Sequence, residues 1–237
     1  RLTFKKEQVT QEEIANANQK LVDAVYELVS VNTHKGKIKV AFAGESVSAG
    51  LNLKTPAKEA YSAAILDELG IANYESANFS STSQDKAYIS TSEYKRSLEF
   101  APDVVVIMMD AKTSQTTDES KFKSENTSLI NSYKLQESNP TIFFCSAPTA
   151  LKGADNAVSS EERAKIAALQ KEIASQSKVN FIDIKENTKD FSTDMFIENS
   201  AVYLNAQGHQ KIAKNVADAF KQARGTVCLS QFVFLEQ

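Results

Sequence analysis

Apolar residues in this chain fall into short unbroken runs, separated by stretches in which they return every third or fourth position. The runs at 37–43, 74–79, 103–109, 141–147 and 179–184 are rich in Val, Ile and Phe, as strands buried on both faces of a parallel sheet are. Between them the three- and four-residue spacing predicts helices over 55–69, 93–100, part of 110–137, 160–176 and 206–223. Pro56 stands in a first turn, Gly70 at a stop, and a Ser-x-Glu-Glu start precedes the helix at 160. Strands alternating with helices predict an α/β fold: a three-layer sandwich around a five-stranded parallel sheet, with right-handed crossovers.

Two segments fall outside this alternation. Residues 11–32 place Ile14, Leu21, Val22, Val25, Leu28 and Val29 at helical spacing, which predicts an amphipathic helix. Residues 226–235 carry Val227, Leu229, Phe232, Val233, Phe234 and Leu235, read as an extended, strand-like segment too apolar for a free tail. The expected organisation is therefore an N-terminal helical extension (1–35), one α/β domain (36–224) and an apolar C-terminal extension (225–237). Either extension packs on its own domain or docks a protein partner, through 11–32 or 226–235.

Composition narrows the function classes. Of 237 residues, 42% are hydrophobic and 24% charged, ordinary for a globular domain, and the net charge of -3 gives no electrostatic pull toward nucleic acid. No run approaches the roughly 20 apolar residues of a membrane span. No Gly-x-Gly-x-x-Gly, phosphate-binding loop or Cys/His metal spacing is present, so neither a cofactor nor a metal is expected. The two cysteines, Cys145 in an apolar run and Cys228, form no disulfide framework, though a bridge between them stays open.

The chemistry sits at the end of the first strand. Gly44-Glu45-Ser46-Val47-Ser48 leads from that strand into a helix, which presents Ser46 at the carboxyl end of the sheet, where ligands of open α/β folds gather.

Four blocks carry a resemblance: 37–50, 78–94, 102–114 and 196–213. In sequence and spacing they resemble the SGNH (GDSL) hydrolases, nearest the branch that includes carbohydrate O-acetylesterases. The resemblance covers about residues 37–222 and implies the SGNH fold, with Ser46 at the nucleophile position. It also implies an esterase removing acyl groups, and an acylated carbohydrate as ligand. The rest of the catalytic set departs from the pattern. The Asp and His positions read Ser200 and Tyr203, the oxyanion glycine falls on Ser80 or Ser83, and the oxyanion asparagine falls on Lys112, with Asp110 at its neighbouring glycine.

Each departure hurts acyl transfer. A tyrosine near its ordinary pKa of ~10 keeps its proton at pH 7, and an oxyanion donor is worth about a hundred- to a thousand-fold in rate. A Ser46–Lys112 dyad is one chemical rescue, requiring a lysine deprotonated by burial. His209 reads as helix packing and His34 as a loop residue. The set predicts a non-catalytic binding or assembly protein, a pseudoenzyme, with an active esterase as the alternative.

Overall fold

Strands β1 (Ile38–Gly44), β2 (Tyr74–Asn78), β3 (Val104–Met108), β4 (Thr141–Cys145) and β5 (Asn180–Ile182) form one parallel sheet in the order β2-β1-β3-β4-β5. This is a computed structural model, and it describes residues 16, 19, 20, 37–69, 74–83, 86–112, 114–151 and 158–232, with backbone alone for 224–232. The strand order reverses between β1 and β3, so a crevice opens there beyond their carboxyl ends.

Helices follow the strands: α1 (Ser46–Ala49), α2 (Pro56–Glu59) and α3 (Tyr61–Leu69) after β1, α4 (Ser92–Glu99) after β2, and α5 (Ser114–Thr117) and α6 (Glu119–Lys134) after β3. Helix α7 (Ser160–Gln176) follows β4, and α8 (Ile184–Asn187) and α9 (Ala206–Phe232) follow β5. Local chemistry sets several starts. Ser159 and Glu162 make a reciprocal capping box on α7, Asp118 caps α6 through the Lys121 N–H, and Thr91 caps α4 through the Tyr94 N–H.

The predicted helix over 55–69 is two pieces, because Ala60 adopts an extended ψ of 149° between α2 and α3. Val105, Ile107 and Phe144 are fully buried against Ile130 and Tyr133 of α6 and Ile173 of α7. Each large apolar side chain so removed from water contributes roughly 1.5–3 kcal/mol. Cys145 is a free, buried thiol whose pKa burial pushes up.

The C-terminal expectation needs correction. Helix α9 continues to Phe232, so 226–232 is helical and not a strand, and 233–235 lie outside the described residues. A short apolar run has no periodicity of its own to tell strand from helix, and extending a formed helix costs far less than nucleating a new element. Gly225 inside it costs only ~1 kcal/mol against alanine. The predicted helix at 11–32 lies almost wholly outside the described residues; Asn16, Gln19 and Lys20 are helical.

Residues Lys37–Phe220 form one unit and hold everything that follows; Arg1–Gly36 with Lys221–Gln237 form the other. Among the described residues no helix is long and apolar enough to cross a membrane.

Candidate functional site

Ser46 is the first residue of α1, directly beyond β1, and it is fully buried. The turn needs a glycine before it: a Cβ on Gly44 would lie 1.9 Å from the Met108 carbonyl oxygen of β3. Glu45 occupies the N-cap position but gives no side-chain cap. That task falls to Asp110 from beyond β3. Its Oδ2 accepts the Ser46 N–H and its Oδ1 the Val47 N–H, each at 3.1 Å. Helix amides favour an anion in this position, and here the anion is part of the chain.

Glu45 turns its carboxylate the other way. Oε2 accepts the Asp110 N–H at 3.1 Å, and Oε1 is bound by the Lys112 ammonium. Burial raises the Glu45 pKa, while the charge and hydrogen bond of Lys112 pull it back down. Gln115 closes the loop, accepting the Lys112 N–H at 3.0 Å and donating to the Asp110 carbonyl at 2.8 Å. Arg163, on α7, is 7% exposed; its burial lowers the pKa and Asp110 raises it again. Its Nη1 reaches the Pro148 carbonyl only at 3.5 Å, and Nε is buried without a partner. Sequence reasoning missed Glu45, Gln115 and Arg163. The one available signal was a carboxylate and an amide flanking Lys112 just beyond a strand end.

The two serines at the oxyanion-glycine position are engaged locally. Ser80 donates its hydroxyl to Ser48 Oγ at 2.8 Å and its N–H to Asn78 Oδ1 at 2.9 Å; the Ser83 N–H donates to Ser81 Oγ at 3.2 Å. Ser48 Oγ also lies 2.8 Å from the Tyr61 hydroxyl, and Asn78 Nδ2 donates to the Ser48 carbonyl at 2.9 Å. These bonds tie β2 to α1.

Ser200 and Tyr203 stand in the loop before α9. Ser200 Oγ accepts the N–H of Val202 at 3.2 Å and of Tyr203 at 2.8 Å, so it folds its own loop. The Tyr203 carbonyl accepts the Ile197 N–H at 2.9 Å, and Leu151 N–H binds the Ala201 carbonyl at 2.8 Å, holding the loop to the segment after β4. His209 is buried in α9, where Nδ1 accepts the Tyr61 N–H at 3.3 Å, which places the remaining ring proton on Nε2. Burial lowers its pKa to about 4. His34 lies outside the described residues.

A cleft of about 520 Å³ opens beside Glu45 and Lys112, walled by residues after β3 and by α6. Of the residues singled out in the sequence, Lys112 lines it; Ser46, Ser200 and Tyr203 are not among its walls.

No protein-family model and no curated protein sequence matches this chain. Solved structures do. The lipase/acylhydrolase from Enterococcus faecalis is 17% identical over 78% of this chain and 96% of its own, with a TM-score of 0.62. The acetyl xylan esterase AlAXEase is 21% identical over 77% and 99%, with a TM-score of 0.58. A protein classed as an SGNH hydrolase, from Slackia heliotrinireducens, is 13% identical over 78% and 100%, with a TM-score of 0.61. At such identities the likeness speaks for architecture, and the architecture of Lys37–Phe220 is that of the SGNH hydrolases.

Proposed function

We propose that this chain is a non-catalytic SGNH-fold protein that binds and does not hydrolyse. The observation that carries this reading is the Asp110 carboxylate on the Ser46 and Val47 amides. Acyl transfer needs the nucleophile's amide empty and waiting for negative charge that develops only in the transition state. A carboxylate fixed on that amide removes the donor and adds repulsion toward an oxyanion.

The side chains considered for the proton side of the reaction are engaged elsewhere. Lys112 is held by Glu45, so its ammonium serves an ion pair and not the Ser46 hydroxyl. His209 spends Nδ1 on a backbone amide, and Ser200 spends its hydroxyl on its own loop. Ser46 itself is fully buried. Contact with a protein partner, within the same reading, falls to 11–32 or 226–235, outside the SGNH pattern.

The test is hydrolysis of p-nitrophenyl acetate and acetylated xylan by the full chain beside Ser46→Ala, with fluorophosphonate labelling. Equal rates and no label are expected. Turnover that disappears with Ser46 would establish the esterase reading instead, and would require Asp110 to leave α1 during the reaction.

A further inference from the structure

The cleft beside Glu45 and Lys112 lies where the strand order reverses, and its volume of about 520 Å³ falls within the range of small-molecule sites. Its floor is apolar, built from Tyr88, Met109, Phe122 and Leu129. Most polar groups around it are already spent. Glu45 is matched by Lys112, Glu125 lies 3.9 Å from Lys121, and Asp118 accepts the Lys121 N–H as the cap of α6. Both ends of Gln115 are taken.

Beside the exposed Ser114 hydroxyl, two wall groups remain. Lys86 is exposed and has no carboxylate partner among the described residues. Asn126 is 4% exposed and donates Nδ2 to the Phe122 carbonyl at 2.9 Å, which leaves its Oδ1 as the group it offers the cleft.

We propose that this cleft binds an aromatic or aliphatic carboxylate that carries one O–H or N–H donor. The apolar body covers the floor, the carboxylate meets Lys86, and the donor meets Asn126 Oδ1. A ligand that covers this amide oxygen without offering a donor strips it of water at a cost, so the ligand's hydroxyl contributes selectivity as well as contact. A cation of the same shape meets the Lys86 ammonium with the wrong sign. This inference rests on the non-catalytic reading only in treating the cleft as a place of binding, and it makes no use of Ser46.

Titration calorimetry of the full chain with phloretate, a phenol joined by two methylenes to a carboxylate, tests it. Its phenol, with a pKa near ~10, keeps its proton at pH 7. One saturable site with a Kd of about 1 mM or tighter is expected for a ligand of this size. Hydrocinnamate, which lacks the hydroxyl, binds about fivefold more weakly, and tyramine, with the charge reversed, at least about tenfold more weakly. Lys86→Glu weakens phloretate about tenfold. Ser114→Trp, at an exposed wall position, fills the cleft and abolishes binding, while Ser46→Ala leaves it unchanged. Absence of saturable binding, equal binding of tyramine, or binding retained in Ser114→Trp overturns the proposal. Ser46-dependent ester hydrolysis alongside the expected binding overturns the non-catalytic reading and leaves this site standing.

Discussion

His209 accepts the backbone N–H of Tyr61 through Nδ1 at 3.3 Å, and the two rings lie 6.2 Å apart, within 12° of parallel. The imidazole closest in sequence to the SGNH histidine position is thus a packing element that joins α9 to the start of α3. Protonating Nδ1 destroys the bond and charges a buried ring. The folded pKa of about 4 lies below the ordinary 6.5 of an unfolded histidine, so the unfolded state takes up the proton first.

Stability should therefore be full above about pH 6.5 and should fall as pH drops toward 4, by up to roughly 3 kcal/mol from this group alone. Thermal melts between pH 4 and 7 check the slope. His209→Gln, whose amide oxygen can accept the Tyr61 N–H, should flatten it. With only two histidines in the chain, imidazole NMR titration assigns the value directly. A His209 midpoint near 6.5 would contradict the packing described.

Asp110→Ala removes both acceptors from the first turn of α1. We expect a loss of roughly 1–2 kcal/mol in urea unfolding, the usual worth of a helix cap, and no gain of esterase activity. Asp110→Asn keeps an acceptor and should lose less. It also removes the carboxylate that opposes the burial of Arg163, so part of the loss should remain.

Lys112→Met leaves the Glu45 carboxylate buried without its cation. Since burial already raises the Glu45 pKa, removing Lys112 raises it further. A carboxyl with a raised folded pKa binds its proton more tightly in the folded state, so stability is lost as pH rises through the unfolded value near ~4.3. The variant should thus be destabilised by about 2–4 kcal/mol at pH 7 and by less at pH 4. Lys112→Arg should retain most of the pair. Urea unfolding at both pH values gives the comparison.

Much of the fold could be read from the chain because strand burial writes itself as composition. Apolar runs at 103–109 and 141–147 became β3 and β4 with only their edges moved, and the helix at 160–176 matched α7. The C-terminal run failed because apolarity without period does not distinguish strand from helix. For the site, the sequence offered an expectation alone, a set of departures from the SGNH pattern at Asp110, Lys112, Ser200 and Tyr203. The contacts around Ser46 were not legible, because the bonds of Asp110 to Ser46 and of Lys112 to Glu45 join residues more than sixty positions apart.

On the non-catalytic reading, these long-range bonds fix the order in which catalysis could be built in. Ser200→Asp with Tyr203→His restores the residue types of a base and its orienting carboxylate, and Asp at 200 can still accept the Val202 and Tyr203 amides that Ser200 now binds. The pair alone should hydrolyse p-nitrophenyl acetate no faster than the parent, because Asp110 still sits on the Ser46 N–H. Adding Asp110→Gly frees that amide, and one recovered oxyanion donor is worth about a hundred- to a thousand-fold. The triple variant should therefore exceed the double by roughly that factor, with a rise in rate between about pH 6 and 7 from the new imidazole. Ser46→Ala in the triple background should abolish the gain. If the double variant is already as active as the triple, Asp110 does not obstruct the site, and the non-catalytic reading loses the observation that carries it.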